Sequence, residues 1–213
     1  MYAEQEDVYY YITVMNENYE HPAMPAGAEA DILKGLYLFR EGQGAKGGKG
    51  GVQLLGSGTI LREVIAAADL LAEDWGVASD IWSVPSFTEL RREAIEVERW
   101  NLLHPTEAPR RSHVETCLTG RPGPVIAATD YMRLFADQIR TWVPGRYKVL
   151  GTDGYGRSDY RRKLRHFFEV DRHWVTVAAL KALAEEGTVK PKVVAEAIAR
   201  YGLDSEKPNP MTV

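Results

Sequence analysis

Short apolar runs alternate with helical periodicity through residues 52–150, and this alternation restricts the chain to a small number of folds. Apolar runs predict strands at residues 52–55, 80–84, 124–128 and 147–150. The segments between them carry an apolar residue every three or four positions, as amphipathic helices packed on a sheet do. Strands separated by such helices predict an α/β layered, mostly parallel sheet with right-handed crossovers. Residues 35–40 can supply a further, antiparallel strand.

Capping residues mark several helix starts. Ser86 with Glu89, and Ser112 with Glu115, match the capping box, in which a hydroxyl and a carboxyl bond each other's backbone N–H. Asp130 is predicted to cap another helix. The apolar side of that helix would consist of Met132, Phe135, Ala136, Ile139 and Val143. Helices are also predicted over residues 59–74, 174–186 and 192–201.

The first 31 residues differ in character, with seven acidic side chains and no Lys or Arg. Residues 8–15 are β-branched and aromatic, which predicts a strand. This strand either joins the sheet of the main body or is the last strand of a domain that is missing from the chain. Because an uncovered strand edge invites pairing, we expect weak self-association through this segment. Residues 42–51 hold six glycines and predict a surface loop.

Charge and composition exclude several functional classes. The chain has 26 basic and 30 acidic residues, a net charge of −4, which argues against a general nucleic-acid binder. The single Cys117 excludes an internal disulfide and a cysteine-based zinc site. The five histidines form no zinc-helix pair, so no metal ligand is predicted. No apolar run approaches the roughly 18 residues of a membrane helix, and we expect a soluble, cytoplasmic protein.

A glycine turn at residues 56–58 follows a predicted strand and opens a helix, as a dinucleotide fingerprint does. Leu61 stands where the third glycine of that fingerprint belongs, and the Walker lysine is absent. A tight turn with a helix cap explains the glycines equally well. No Gly-x-Ser-x-Gly nucleophile elbow is present. The residues themselves therefore predict no catalytic group and no cofactor-binding group in this chain.

A second glycine-containing turn, residues 151–159, lies between the last predicted strand and a basic segment. We predict an ordered turn in which Ser158 or Asp159 caps a helix carrying several arginines. A small anion can lodge beside the start of that helix and Arg157. The candidate anion- or partner-binding residues are Asp153, Gly154, Gly156, Arg157 and Ser158. The alternative is a purely structural turn whose glycines supply positive φ.

The basic segment, residues 157–166, holds four arginines and one lysine against a single acid. It is either a solvated surface or a contact for an acidic group. That acidic group would belong to a partner or to the acidic first segment of this chain.

Several segments together resemble one family. They are residues 9–13 (Tyr-Tyr-Tyr-Ile-Thr), 16–19 (Asn-Glu-Asn-Tyr), 22–25 (Pro-Ala-Met-Pro), 52–58 (Val-Gln-Leu-Leu-Gly-Ser-Gly), 86–90 (Ser-Phe-Thr-Glu-Leu), 98–101 (Glu-Arg-Trp-Asn) and 151–159. From end to end, the chain closely resembles the carboxy-terminal part of the bacterial homodimeric pyruvate dehydrogenases. These are the thiamine-diphosphate-dependent first components of the pyruvate dehydrogenase complex.

The resemblance implies a three-layer α/β fold like the transketolase C-terminal domain, with a mixed five-stranded sheet and one antiparallel strand. It implies that residues 1–31 are the tail of the preceding thiamine-pyrimidine-binding domain plus a linker, and that residues 32–213 are the transketolase C-terminal-like domain. The full subunit of this family uses thiamine diphosphate and Mg²⁺ to decarboxylate pyruvate and reductively acetylate lipoyl groups. Its implied partners are its own other domains, a second subunit in a homodimer, and the dihydrolipoyl acetyltransferase of the complex.

The sequence departs from the family's cofactor motif, which is Gly-Asp-Gly followed downstream by paired asparagines. Residues 152–154 read Thr-Asp-Gly, and the only later asparagine is Asn209. No catalytic, cofactor or metal residue can therefore be transferred to this chain. We expect the isolated chain to be inactive and to serve structure and assembly. The alternative is a stand-alone nucleotide- or anion-binding α/β module.

Overall fold

The computed structural model of the chain describes residues 2–12, 14–15, 17–42 and 51–213. Its centre is a five-stranded sheet of order β1-β3-β2-β4-β5. The strands are β1 (Tyr37–Arg40), β2 (Gly51–Gly56), β3 (Ala78–Ser83), β4 (Val125–Ala128) and β5 (Tyr147–Leu150). β1 pairs antiparallel with β3, and the three other pairs are parallel. The predicted mixed five-stranded sheet with one antiparallel strand is confirmed.

Helices cover both faces of the sheet. They are α1 (Glu29–Lys34), α2 (Leu61–Trp75), α3 (Phe87–Leu103), α4 (His113–Leu118), α5 (Arg133–Asp137), α6 (Arg161–Phe167), α7 (Arg172–Glu185) and α8 (Pro191–Arg200). A short 3₁₀ turn, Gly58–Ile60, leads into α2, and another, Arg140–Trp142, follows α5.

The sheet separates two apolar clusters. One contains Val64 of α2 and Leu180 of α7, and the other contains Leu90 of α3. Successive residues of β2 belong to opposite clusters, Leu54 to the first and Leu55 to the second. This follows from the two-residue repeat of a strand. Both faces of the inner strands β2, β3 and β4 are buried, as expected for a largely parallel sheet.

The two capping boxes read from the sequence, at Ser86 and Ser112, do begin helices. The Ser86 hydroxyl accepts a hydrogen bond from the Glu89 backbone N–H at 3.1 Å, at the start of α3. Ser112 and Glu115 form a complete, reciprocal capping box at the start of α4. Each cap satisfies a backbone donor that has no partner within its helix.

The prediction that Asp130 caps a helix was wrong. α5 starts at Arg133, and its N-cap residue, Met132, makes no side-chain cap bond. The Asp130 carboxylate instead accepts a hydrogen bond from the Thr59 hydroxyl at 3.2 Å, on a neighbouring turn. The segment divides into the short α5 and a 3₁₀ turn, so the predicted apolar stripe is interrupted. Met132 and Phe135 are exposed, whereas Ala136, Ile139 and Val143 are buried.

The predicted strand over residues 8–15 does not form in the part of that segment that the structure describes. Tyr9, Tyr10 and Tyr11 are 88%, 70% and 88% exposed. A strand needs a partner for its backbone N–H and C=O groups, and no described strand of this chain pairs with it. The interpretation that it joins the main sheet is therefore wrong. The predicted glycine loop falls mostly on residues 43–50, which lie outside the described residues.

Candidate functional site

The carboxyl ends of β2, β4 and β5 meet at one edge of the sheet, beside a cavity of about 310 Å³. β2 and β4 are neighbours in the sheet. The chain leaves β2 towards α2 on one face and leaves β4 towards α5 on the other. Open α/β sheets bind ligands at such a point, where two neighbouring strands send their connections to opposite faces. We refer to this hollow as the switch-point cavity.

One wall of the switch-point cavity is polar and consists of the turns that follow the strands. Asp130, after β4, accepts a hydrogen bond from the Thr59 hydroxyl at its carboxylate, at 3.2 Å. The backbone carbonyl of Asp130 accepts another from the Thr152 hydroxyl, at 2.8 Å. Side chains therefore tie together three turns from three different strands.

The opposite wall combines guanidinium groups with apolar side chains. It is lined by Arg157, Arg161, Leu164, Arg165, Phe168 and Val170. Phe168 and Val170 are 9% and 1% exposed and belong to the larger apolar cluster. The apolar part of the wall is thus an extension of the core, held in place by its packing.

Two of the three arginines are neutralised by acids. Arg161 Nη1 lies 2.7 Å from Glu17 Oε1, and Arg165 Nη1 lies 3.3 Å from Glu63 Oε1. Throughout the described residues, no carboxylate lies within ion-pair distance of Arg157. The Arg157 guanidinium lies 5.1 Å from the centroid of the Phe167 ring, in cation–π geometry. Arg157 is therefore the cation of this cavity that is able to pair with an incoming anion.

The structure divides the candidate residues that the sequence proposed. Gly154, Gly156 and Arg157 line the switch-point cavity. Asp153 does not, because its carboxylate accepts a hydrogen bond from the Arg133 backbone N–H at 2.9 Å and so holds the start of α5. Ser158 is not among the residues that line the cavity.

The prediction that Ser158 or Asp159 caps α6 was wrong. The residue before the helix is Tyr160, and it makes no side-chain cap bond. The Asp159 carboxylate accepts a hydrogen bond from the adjacent Tyr160 backbone N–H, at 2.8 Å, instead of one from within the helix. Because α6 is short and uncapped, its N-terminus offers no anion site of its own.

The backbone conformation and the surroundings of Gly154 require a glycine at this position of the turn. Its φ is +102°, and a Cβ at this position would lie 2.7 Å from the carbonyl oxygen of Pro210. The turn thus packs closely against the last residues of the chain. The sequence predicted an ordered turn here, but nothing in the residues near the turn predicts its contact with Pro210.

The sequence did not predict most of the residues that line the cavity. In particular, it gave no indication that Thr59, Asp130 and Thr152 lie together. Each stands within a few residues of the carboxyl end of a predicted strand. Parallel strands bring those ends to one edge, so a search of all such positions would have found the polar wall. The apolar wall has no comparable signal, because Leu164 and Phe168 read as ordinary core positions.

A larger hollow, about 1210 Å³, lies along α6 and α7. At its edge Glu63 is buried and binds both Arg165 and Arg172. Burial on its own would raise the pKa of Glu63, but the hydrogen bonds and charge of Arg172, together with the charge of Arg165, outweigh it and hold the pKa below its ordinary value. This carboxylate is a structural ion-pair centre, already saturated by protein groups.

Part of the acidic first segment lies against the basic helix α6. Besides the Glu17–Arg161 ion pair, the Tyr19 hydroxyl accepts a hydrogen bond from Arg165 Nη2 at 3.3 Å. The guanidinium of Arg62, in α2, lies 4.4 Å from the centroid of the Tyr19 ring. The sequence left open which acidic group meets the basic segment, and the structure places the chain's own segment there.

Cys117 and His113 lie next to each other, with Sγ 3.5 Å from Nε2. A nucleophilic cysteine requires a neighbouring base that takes its proton. The nearer ring nitrogen, Nε2, lies 2.8 Å from the Leu36 carbonyl oxygen and donates to it, so only Nδ1, 3.9 Å from Sγ, is left as an acceptor. Burial, reinforced by the negative charge of Asp31, raises the pKa of Cys117 to about 11. The thiol is protonated at neutral pH and packs as a small apolar group.

The described residues offer neither a metal site nor a membrane-spanning helix. No group of three or more histidine, cysteine or acidic side chains is placed to hold a metal ion. None of the described helices has the length and apolar character needed to cross a membrane.

The family model for the transketolase-like TK C-terminal domain matches residues 35–171. The chain is 70% identical over 213 residues to a pyruvate dehydrogenase E1 component of Cupriavidus necator, covering 100% of this chain and 24% of that protein. It is 66% identical over 212 residues to the protein of that name from Pseudomonas aeruginosa (99% and 24% covered) and 56% identical to that from Escherichia coli K12 (99% and 23%). The chain thus spans about a quarter of the length of these curated relatives.

Solved structures of transketolases also resemble the chain. A split-gene transketolase, described as an inactive beta4 tetramer, has a TM-score of 0.48 at 16% identity, covering 71% of this chain and 43% of its own. The transketolase of Campylobacter jejuni has a TM-score of 0.48 at 20% identity, covering 71% of this chain and 19% of its own.

Proposed function

The chain belongs to the family of transketolase-like C-terminal domains, and from this membership we propose that it serves as that domain of a pyruvate dehydrogenase E1 component. The observation that carries the proposal is the identity of 70% with a protein of that name over all 213 residues. The full protein would decarboxylate pyruvate on thiamine diphosphate and reductively acetylate lipoyl groups. This chain would support the structure of the subunit and its assembly, and would supply no group that takes part in the reaction.

The described residues do not fit thiamine diphosphate or its metal ion. In the family motif an aspartate between two glycines would serve the metal, but the Asp153 carboxylate is already bonded to the Arg133 backbone N–H. The side-chain oxygen of Asn209, the only downstream asparagine, accepts a hydrogen bond from the Met211 backbone N–H at 3.0 Å. We therefore place thiamine diphosphate and Mg²⁺ in other parts of the full protein.

The exposed first segment supports a role in assembly. Tyr9, Tyr11 and Val14 are 88%, 88% and 87% exposed, and contiguous exposed apolar side chains mark a contact surface. We propose that residues 1–31 are the tail and linker of a preceding thiamine-pyrimidine-binding domain, and that residues 32–213 form the C-terminal domain. The proposed contacts are the other domains of the subunit, a second subunit and the dihydrolipoyl acetyltransferase, in the cytoplasm.

An acetylation assay tests this proposal. The purified 213-residue chain is incubated with pyruvate, thiamine diphosphate, Mg²⁺ and a lipoyl domain, beside a full-length E1 component as positive control. We expect acetyl-lipoyl formation only with the full-length protein. Turnover by the 213-residue chain would show that the catalytic groups lie within it and would overturn the proposal.

The alternative function, a nucleotide-binding module, depends on the turn at residues 56–58. There the Ser57 and Tyr131 hydroxyls lie 2.9 Å apart, and a Cβ on Gly56 would lie 2.7 Å from the Leu61 Cα. Both glycine and serine therefore have structural reasons to be present. A rise in melting temperature with NAD or ATP, and none with phosphate, would favour the alternative.

A further inference from the structure

We propose that the switch-point cavity binds a small organic molecule that carries one anionic group on an apolar body, with Arg157 holding the anionic group. This goes beyond the proposed function, which assigns no ligand to this chain. The proposal rests on three features: the position and size of the cavity, the Arg157 guanidinium in its wall, which no carboxylate of the described residues neutralises, and the apolar wall beside it.

The size and the walls of the cavity suit a small ligand. Its volume of about 310 Å³ is at the lower end of the range of small-molecule pockets, roughly 300–1,000 Å³. Such pockets combine an apolar lining with a few polar groups that fix orientation. Here Phe168 and Val170 give the apolar lining, and Thr59 and Thr152 give two hydroxyls. A phosphate or carboxylate on a ring or a short aliphatic body would contact both kinds of wall.

Arg157 is the group suited to recognise the anion. A guanidinium offers parallel N–H donors that match the oxygens of a carboxylate or phosphate. Arg161 and Arg165 also line the cavity and raise its positive potential, although Glu17 and Glu63 hold them in ion pairs. The Arg157 guanidinium lies over the face of Phe167, is exposed, and has no carboxylate partner among the described residues, so its N–H groups are accessible to a ligand.

Asp130 on the polar wall limits the ligand to a single anionic group. Its carboxylate accepts a hydrogen bond from Thr59 and lines the same cavity as Arg157. A second anionic group would be repelled there, whereas a hydroxyl or amine on the ligand would find an acceptor. The cavity therefore has one end for an anion and another for a hydrogen-bond donor.

The turn that carries Arg157 is fixed before any ligand arrives. Gly154 packs against the Pro210 carbonyl oxygen, and Asp153 is bonded to the Arg133 backbone N–H. Two anchors on one short turn reduce the conformational entropy that a ligand would otherwise have to remove on binding.

Titration calorimetry with phenyl phosphate tests the site, because this probe joins one anionic group to a ring. Inorganic phosphate and phenol, titrated separately, measure the affinity of the anionic group alone and of the ring alone. We expect phenyl phosphate to bind the 213-residue chain more tightly than either half. Arg157→Gln should weaken binding about tenfold or more, the usual value of a charge-assisted hydrogen bond.

Two further variants separate this site from general charge attraction. Arg162→Gln removes an exposed charge from the same basic segment, but Arg162 does not line the cavity, so affinity should stay unchanged. Asp130→Asn removes the repelling charge and keeps an acceptor for Thr59, so affinity should rise. Opposite shifts for Arg157→Gln and Asp130→Asn cannot result from a general loss of folding.

Three results would each overturn the proposal. They are an equal loss of affinity in Arg157→Gln and Arg162→Gln, an unchanged affinity in Arg157→Gln, and no binding of phenyl phosphate up to about 10 mM. Circular dichroism of each variant verifies that the helical content equals that of the wild type.

Discussion

Glu63 uses one carboxylate oxygen to accept two hydrogen bonds from Arg172. Oε2 lies 3.1 Å from the Arg172 backbone nitrogen and 2.9 Å from its Nε. Glu63 is in the first turn of α2 and Arg172 is the first residue of α7, so this contact fixes the two helices against each other. The other oxygen, Oε1, accepts from Arg172 Nη2 and from Arg165 Nη1 of α6, each at 3.3 Å. One carboxylate, 6% exposed, therefore joins three helices.

Removing this carboxylate should destabilise the fold. Glu63→Ala leaves the half-buried Arg165 without its carboxylate partner and the Arg172 backbone N–H without its acceptor. We expect the free energy of unfolding to fall by about 2–3 kcal/mol in urea denaturation. Glu73→Ala is the matched control, because Glu73 is exposed on the same helix, and it should change stability by no more than about 0.5 kcal/mol. Equal losses in both variants would contradict a special role for Glu63.

The same carboxylate predicts a pH dependence. The pKa of Glu63 in the folded chain lies below its ordinary value of 4.5, so the folded state binds this proton less readily than the unfolded state. The stabilisation is complete above the ordinary value and is lost as the pH falls through the folded value. Between about pH 5 and pH 3, unfolding free energy should therefore decline more steeply in the wild type than in Glu63→Gln. Parallel curves would show that Glu63 is not a source of acid sensitivity.

Local sequence patterns predicted the elements better than the contacts between them. The strand over Tyr147–Leu150 and the cap at Ser86 were correct, because an apolar run and a hydroxyl before a helix act within a few residues. The cap at Asp130 failed because its carboxylate has a competing partner, Thr59, from a distant part of the chain. Contacts such as Glu63–Arg172 depend on how the helices pack, which no local pattern encodes.

The candidate site shows the same division. The sequence indicated Arg157 because it follows a strand and stands among glycines. In the structure Arg157 lines the cavity. The residue pairs that shape the cavity, such as Gly154 with Pro210, join segments far apart in sequence. Phe168 and Val170 are buried because the segment after α6 packs into the larger apolar cluster, which local sequence does not encode.

Limited proteolysis can measure the attachment of the first segment. Tyr19 is the half-buried contact of that segment, held by Arg62 and Arg165. Tyr19→Ala removes both contacts, and we expect cleavage in residues 2–25 to accelerate several-fold, as for a released chain terminus. Tyr10→Ala, at a tyrosine that is 70% exposed, is the matched control and should be cut at the wild-type rate. Unchanged cleavage in Tyr19→Ala would contradict the attachment.

Cys117 should be unreactive. Because burial raises its pKa from the ordinary 9.0 to about 11, its thiolate fraction at pH 8 is smaller than that of a free cysteine by roughly a hundredfold. Alkylation by iodoacetamide at pH 8 should be slower than that of a free thiol by about the same factor in the folded chain. In urea the difference should disappear. Rapid labelling of the folded chain would contradict the raised pKa of Cys117 and the burial that causes it.

Two glycines of the same turn should respond in opposite ways to alanine. At Gly154 the φ of +102° and the Pro210 carbonyl oxygen both exclude a Cβ, so Gly154→Ala should cost about 1–3 kcal/mol of unfolding free energy. Gly156 lacks positive φ, and a Cβ there would meet nothing within 4 Å. Gly156→Ala should therefore be neutral, or stabilise by up to about 1 kcal/mol through the unfolded state. Because Gly154 also anchors the turn that carries Arg157, its alanine variant should lose affinity for phenyl phosphate even where it remains folded. Equal stability of the two variants would show that the backbone of the turn can shift to accept a Cβ at Gly154, and that its contact with Pro210 does not fix it.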